Sequence, residues 1–187
     1  MKRNLLNNAK IKNSFRELCE IFLFYFDETI GHVSLLIRPE NALDHDSGKL
    51  RLLKYHPIWF LELKDETTIN RIDLEYCNQM YLAKKFVIES KRVKKRTESF
   101  QKLGETIVLI LVLPTDLDVF GGEVLNLLTK KLIEKFDKTL YHVIESEIAK
   151  LEIIKTENLI NKIKKGDQIK AEINAIINLT FGNIFHH

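Results

Sequence analysis

Apolar residues follow three kinds of pattern along the chain, and together these patterns predict an order of elements. Uninterrupted apolar runs at 21–26 and 107–113 predict strands that are covered on both faces. Residues 68–76 alternate between apolar and charged side chains, which predicts a strand with one wet face. Beyond Gly122 apolar residues recur every three or four positions through Leu151, as on one face of a straight helix. A second helical segment follows over 153–179.

Residues typical of turns and helix ends separate these patterns into individual strands and helices. Gly31 can adopt the positive φ of a tight connection, so 21–26 and 32–38 form a predicted hairpin. Residues 77–79 turn the chain, so that 80–88 pairs with the strand at 68–76. Residues 44–48 have the composition of a loop or helix cap, and a short helix at 49–55 is expected to end before Pro57. In the C-terminal segment, Gly166 followed by Asp167 predicts a break between two helices.

An α+β fold follows from this order of elements. The two fully apolar strands are expected at the centre of one five-stranded, mostly antiparallel sheet sandwiched by helices, with 21–26 and 107–113 parallel to each other. We expect strand 32–38 to lie on one side of this central pair, and the hairpin over 68–88 to lie on the other side. The chain divides into an N-terminal amphipathic helix at 1–20, a domain at 21–151 and a C-terminal helical extension at 152–187.

The amino-acid composition and the lengths of the apolar runs limit the classes of protein to which this chain can belong. The chain has 187 residues, of which 45% are hydrophobic and 29% charged, enough for a single packed core. The longest apolar runs fall far short of the roughly 20 residues that a membrane span needs, and polar residues interrupt the apolar segment a signal peptide requires. We therefore expect a cytoplasmic protein that is soluble or peripheral to a membrane. Cys19 and Cys77 are expected to be reduced and structural.

Positive charge is concentrated in one stretch of the chain. Residues 84–96 contain seven basic side chains and one acidic one, a sum of +6, so the rest of the +3 chain sums to −3. Within this stretch stand five cations in six residues, here called the basic loop: Lys91, Arg92, Lys94, Lys95 and Arg96. Such a loop either remains solvated or binds an anionic lipid or acidic protein surface, assisted by the basic residues of 2–16. Because no aromatic residues are interleaved with the cations, nucleic acid is a disfavoured partner.

The C-terminal helical region offers a second candidate surface. Isoleucines recur through it at helical spacing, and we expect them to form an interface with a partner protein or a second copy of the chain: Ile160, Ile163, Ile169, Ile173 and Ile176.

Motifs for catalysis or for metal and cofactor binding are incomplete. Asp44, Asp46 and two nearby histidines are metal-ligand types, but Gly48 stands one position early for a calcium loop. The pair Gly121-Gly122 lacks the lysine and hydroxyl of a phosphate-binding loop, so close packing of a helix on the sheet is favoured. No histidine is near either cysteine in sequence. We expect no enzyme activity, metal or cofactor, and His186 and His187 are left aside as terminal residues that a tag could supply.

A family resemblance is carried by element order and a few segments. The hairpin over 21–38, the helix after it, the three strands ending at 108–114 and the helix over 120–136 resemble a longin domain of the longin/roadblock class. The chain is most similar to uncharacterised archaeal longin-like proteins that carry segments of the following type: Arg71-Ile-Asp-Leu-Glu-Tyr76, Ala83-Lys-Lys-Phe86 and Ser90-Lys-Arg-Val-Lys-Lys-Arg96. The resemblance spans roughly 21–151 and brings no functional motif with it.

The resemblance implies a function in protein interaction. Longin-like domains regulate membrane-fusion proteins, build adaptor subunits or pair to hold small GTPases. This chain departs from the fusion proteins, since it has no arginine after Arg96 and no terminal apolar span. An adaptor or GTPase platform, as a homodimer or heterodimer, is therefore the favoured expectation.

Overall fold

The computed structural model describes residues 18–27, 30–44, 46–55, 71–92 and 104–183. Most of the predicted N-terminal helix at 1–20, positions 94–96 of the basic loop and the terminal histidines lie outside these ranges. The described elements are β1 Glu20–Asp27, β2 Gly31–Arg38, α1 Ser47–Tyr55, β3 Arg71–Tyr76, β4 Gln79–Ile88, β5 Glu105–Pro114, a 3₁₀ turn at Thr115–Leu117, α2 Asp118–Phe136, α3 Tyr141–Leu151 and α4 Glu157–Asn183.

The five strands form one sheet in the order β2-β1-β5-β4-β3. The expected α+β class is confirmed, as are the central positions of β1 and β5 and the edge position of the alternating strand β3. The expected parallel placement of β1 and β5 is wrong, because Phe22 faces Ile110 and Phe24 faces Val108 in an antiparallel register. An apolar run indicates that both faces are covered, and it carries no information about strand direction.

Helices cover both faces of the sheet. On β5, Ile107, Leu109, Leu111 and Leu113 share a buried cluster with residues of α2, α3 and α4. The alternate residues Val108, Ile110 and Val112 belong to a second cluster on the other face, which includes Leu53 of α1. The period of two along a strand thus supplies two separate cores from one continuous apolar run.

Local signals near the turns act as the sequence predicts. Gly31 closes the β1–β2 hairpin at a φ of 84°. Cys77 and Asn78 both have positive φ, 51° and 58°, as the two central residues of a tight hairpin between β3 and β4. The Asp46 carboxylate accepts the Lys49 backbone N–H at 2.8 Å and so caps α1.

The long helix expected from Gly122 to Leu151 is interrupted at residues 137–140, so that prediction is wrong. Asp137 and Leu140 keep right-handed helical dihedrals, and the Leu140 N–H donates to Phe136 O at 2.8 Å. Both Phe136 and Leu140 are buried in the core. Because the turn keeps helical dihedrals and its apolar residues stay inside, the helical spacing continues across it and conceals the break.

The break expected at Gly166 is also absent, because α4 runs through it without interruption. Gly166 lies where α4 crosses α3: a Cβ atom built there would stand 2.2 Å from Ser146 Cβ and 2.9 Å from the His142 carbonyl oxygen. This glycine therefore allows two helices to approach closely and does not end one.

Candidate functional site

The basic loop begins with two residues of contrasting environment. Lys91 is exposed, whereas the Arg92 side chain is only 17% exposed. Arg92 forms ion pairs of 3.4 Å with Asp27 Oδ2 and with Glu105 Oε1. Its guanidinium also lies over the Tyr25 ring, 5.3 Å from the ring centroid. The expectation that Arg92 binds an anionic surface is therefore corrected, because its charge is already balanced inside the chain.

Charges and burial act against each other in this cluster. Glu105 is buried at 1% exposure and also accepts a hydrogen bond from Ser90 Oγ at 3.1 Å. Burial disfavours the charged guanidinium, but the charges and hydrogen bonds of Tyr25, Glu105 and Asp27 hold the pKa of Arg92 above its ordinary value. Burial, reinforced by the Glu105 charge, raises the pKa of Tyr25. The cluster thus fixes the segment after β4 to the starts of β5 and of the β1–β2 turn.

The five isoleucines predicted as an interface separate into three environments. Ile169 and Ile173 are buried in the cluster shared with the sheet, so they are not available to a partner. Ile176 packs against that cluster while partly buried, and Ile163 is partly buried. Ile160 is exposed. Helical spacing identified the right face of α4, but that face covers the chain's own core along most of its length.

Charged side chains join α3 to α4 outside this core. Glu145 accepts a hydrogen bond from Lys162 at 3.0 Å and pairs with His142 at 3.1 Å. Lys150 pairs with Asp167 at 2.8 Å. Burial alone raises the pKa of Glu145, but the hydrogen bonds and charges of Lys162 and His142 outweigh it and lower that pKa. The C-terminal helix is held by ionic contacts as well as by apolar packing.

The start of α2 exposes two large apolar side chains. Val119 is 82% exposed and Phe120 is 50% exposed. Directly after them, Gly121 faces the sheet so closely that a Cβ would lie 2.3 Å from Leu82 Cδ1, as expected for close packing of this helix. Sequence reasoning did not single out Val119 and Phe120, because a strand-to-helix turn can bury such a pair as readily as expose it.

Carboxylates flank this exposed pair along the chain. Residues 114–123 carry Asp116, Asp118 and Glu123 and no cation, a sum of −3. The β3–β4 turn contacts the same region, since the Thr115 N–H donates to Asn78 O at 3.2 Å. The α2 start, defined here as residues 114–123, is therefore a rigid apolar spot with an acidic rim.

A second exposed apolar segment, the α3–α4 loop, spans residues 151–156. Leu151, Ile153 and Ile154 are all exposed, Ile153 at 96% and Ile154 at 79%. The Lys155 ammonium donates hydrogen bonds to the carbonyl oxygens of Ala149 at 2.7 Å and Lys150 at 2.8 Å, and also to that of Glu152. Lys155 thus bonds carbonyl oxygens at the C-terminal end of α3, and these bonds fix the loop.

The residues considered for metal and thiol chemistry have structural environments. Within the described ranges no group of three or more His, Cys, Asp or Glu side chains is placed to hold a metal ion. Asp46 is the cap of α1. Burial and the adjacent Glu20 raise the pKa of the Cys19 thiol to about 12, which leaves little thiolate at neutral pH. Cys77 is exposed in the β3–β4 turn.

Comparison of the chain with protein-family models, with curated proteins and with solved structures finds no match. Among the helices described, none has the length and apolar character to cross a bilayer.

Proposed function

We propose that the chain is a longin-like protein-interaction module without catalytic activity, acting as an adaptor or scaffold for a small GTPase or a trafficking-type partner. One observation carries the proposal: the exposed side chains of Val119 and Phe120 stand on a helix start fixed against the sheet. Large apolar side chains held on a rigid backbone are the typical anchors of an interface, because little conformational entropy is lost when they are covered.

The order of elements supports the same proposal. A hairpin, a helix, three strands and a helix follow one another along 20–136, which is the order on which the longin-like resemblance depends. The acidic rim of the α2 start adds a preference for a partner with basic residues around an apolar pocket. Homodimers and heterodimers are both compatible with such a surface.

Binding to small GTPases tests the proposal. The full chain would be immobilised and exposed to a set of purified small GTPases, each loaded with GDP or with a non-hydrolysable GTP analogue. We expect binding that depends on the bound nucleotide, and at least a tenfold loss of affinity for Val119→Ser/Phe120→Ser, since interface anchors contribute about 2 kcal/mol or more. Leu179→Ser, which alters a 64% exposed residue of α4, is the matched control and should bind as the unmodified chain does.

Two results would count against it. If no GTPase binds in either nucleotide state, the GTPase part of the proposal fails. If the double variant binds as well as the unmodified chain, the α2 start is not the interface. Light scattering of both forms during size-exclusion chromatography identifies self-association, since a mass that falls to the monomer only in the double variant assigns this surface to a second copy.

A further inference from the structure

We propose that the N-terminal segment of this chain, residues 1–17, binds to the α2 start and covers Val119 and Phe120 until a partner displaces it. This inference rests on the proposed function, because it names how the same surface is regulated. It depends on where the segment joins the fold, on the charges around the surface and on the composition of the segment.

The segment joins the fold beside the α2 start. Glu20, at the beginning of β1, pairs with Val112 of β5, and β5 ends two residues later at Pro114. Because neighbouring strands lie about 4.8 Å apart, the chain before β1 leads away from the end of the sheet at which α2 begins. A helix of seventeen residues is about 25 Å long, so the segment can reach this surface on its own molecule. Such a tether gives a local concentration of the order of millimolar.

The carboxylates of the α2 start are available to an incoming cation. Among the described residues, Asp116, Asp118 and Glu123 form no ion pair and no side-chain hydrogen bond. Lys84 approaches them on the same face of the sheet, and its ammonium donates to Asn126 Oδ1 at 2.7 Å, one helical turn beyond Glu123. With this lysine counted, the surface is still negative.

Other charges at this end of the described sheet do not reverse that sign. Lys49 forms an ion pair of 2.9 Å with Glu20, so these two charges balance. Arg38, at the end of β2, donates hydrogen bonds to α4. Glu40 and Asp44 follow Arg38 in the connection to α1, and both are exposed and add negative charge.

The segment has the complementary composition. Its apolar residues Ile11 and Phe15 precede Leu18 at the spacing of one helical face. Leu18 is helical and 47% exposed, so the described fold leaves this end of the apolar face uncovered. Apolar side chains between cations match Val119 and Phe120 between carboxylates. Residues 1–16 carry no acidic side chain and five basic ones: Lys2, Arg3, Lys10, Lys12 and Arg16.

Competition between the segment and a partner follows from this contact. A partner's apparent affinity is reduced by the fraction of molecules in which the α2 start is free. Lys10→Ser/Lys12→Ser/Arg16→Ser should therefore bind the partner more tightly than the unmodified chain, by roughly threefold or more.

Paramagnetic broadening of NMR signals tests the contact in the full chain without a partner. A nitroxide would be attached at Asn8→Cys in a Cys77→Ser background, because the Cys19 thiol is buried, with its pKa raised to about 12, and does not compete for the label. We expect the amide signals of residues 116–123 to broaden, and to recover intensity when high salt screens the charges. Signals of the equally exposed regions 151–156 and 178–182 should keep their intensity.

Matched variants identify the source of the broadening, and the same spectra show whether each variant is folded. Asp116→Asn/Asp118→Asn/Glu123→Gln removes three charges with little change in shape and should restore most of the lost intensity. Glu157→Gln removes an exposed charge in the first turn of α4 and should restore none.

The proposal is overturned if the signals of residues 116–123 keep their intensity, if those of 151–156 broaden in their place, or if the triple acidic variant broadens as strongly as the unmodified chain. It is also overturned if an isotope-labelled chain without nitroxide broadens equally when mixed with the nitroxide-labelled chain, because the segment then binds a second copy. Broadening without any GTPase binding rejects the proposed function alone, whereas GTPase binding without broadening rejects this inference alone.

Discussion

Replacing Gly166 by alanine discriminates between two accounts of this glycine. If Gly166 lay free within a helix, alanine would raise the free energy of unfolding by about 1 kcal/mol through helix propensity. In the structure, the new Cβ would stand 2.2 Å from Ser146 Cβ, and ordinary contacts begin at 3.4 Å. The two helices must therefore separate by roughly 1 Å, and overpacking of this kind costs about 1–3 kcal/mol.

The upper part of that range applies to Gly166→Ala, because the contacted atoms include the backbone oxygen of His142 at 2.9 Å. After subtraction of the propensity gain, we expect a net loss of about 1–2 kcal/mol, measured by urea unfolding followed by circular dichroism. Gly182→Ala is the matched control on the same helix, because a Cβ there has no neighbour within 4 Å. It should leave stability unchanged or slightly increased.

Combining Gly166→Ala with Ser146→Gly should recover part of the lost stability, since the closest contact of the new Cβ is with the Ser146 side chain. A Gly166→Ala protein as stable as Gly182→Ala would refute the assignment of Gly166 to a close helix crossing. If Gly166→Ala lowers the free energy of unfolding equally with and without Ser146→Gly, the strain does not arise at the Ser146 side chain.

Three further outcomes are expected. Arg92→Met should lower the free energy of unfolding by roughly 3 kcal/mol, because it removes the guanidinium that forms an ion pair with the buried Glu105 carboxylate, whereas Lys91→Met should change it by less than about 0.5 kcal/mol; similar denaturation midpoints for the two variants would contradict this. In a thiol-labelling time course on the native protein, Cys77 should react first and Cys19, with its pKa raised to about 12, only after unfolding. The lowered pKa of Glu145 means that its contribution to stability is present above the unfolded value of 4.5 and lost as pH falls through the lower folded value; Glu145→Gln should reduce this acid dependence, and an unchanged pH profile would count against it.

Part of the candidate site was within reach of the sequence, and part was not. The run 91–96 identified a concentration of cations, but it could not show that Arg92 pairs with Asp27 and Glu105, which are 65 and 13 residues away in the chain. The α4 isoleucines were recognisable as one helical face, yet only packing decided that Ile173 is buried and Ile160 exposed. Exposed apolar residues in short connections, such as Val119 and Ile153, have no periodic signal to identify them.

The sequence by itself determined the element types, the strands that lie at the centre of the sheet and the turns between them, because these depend on periodicity and on glycine, asparagine and aspartate within a few residues. Only the tertiary structure decided that β1 and β5 are antiparallel, that the helix after Gly122 breaks at 137–140, and that α4 continues through Gly166. Each of these depends on contacts between segments distant in the chain. The local pattern is compatible with both outcomes, and the packing of helices against the sheet and each other selects one.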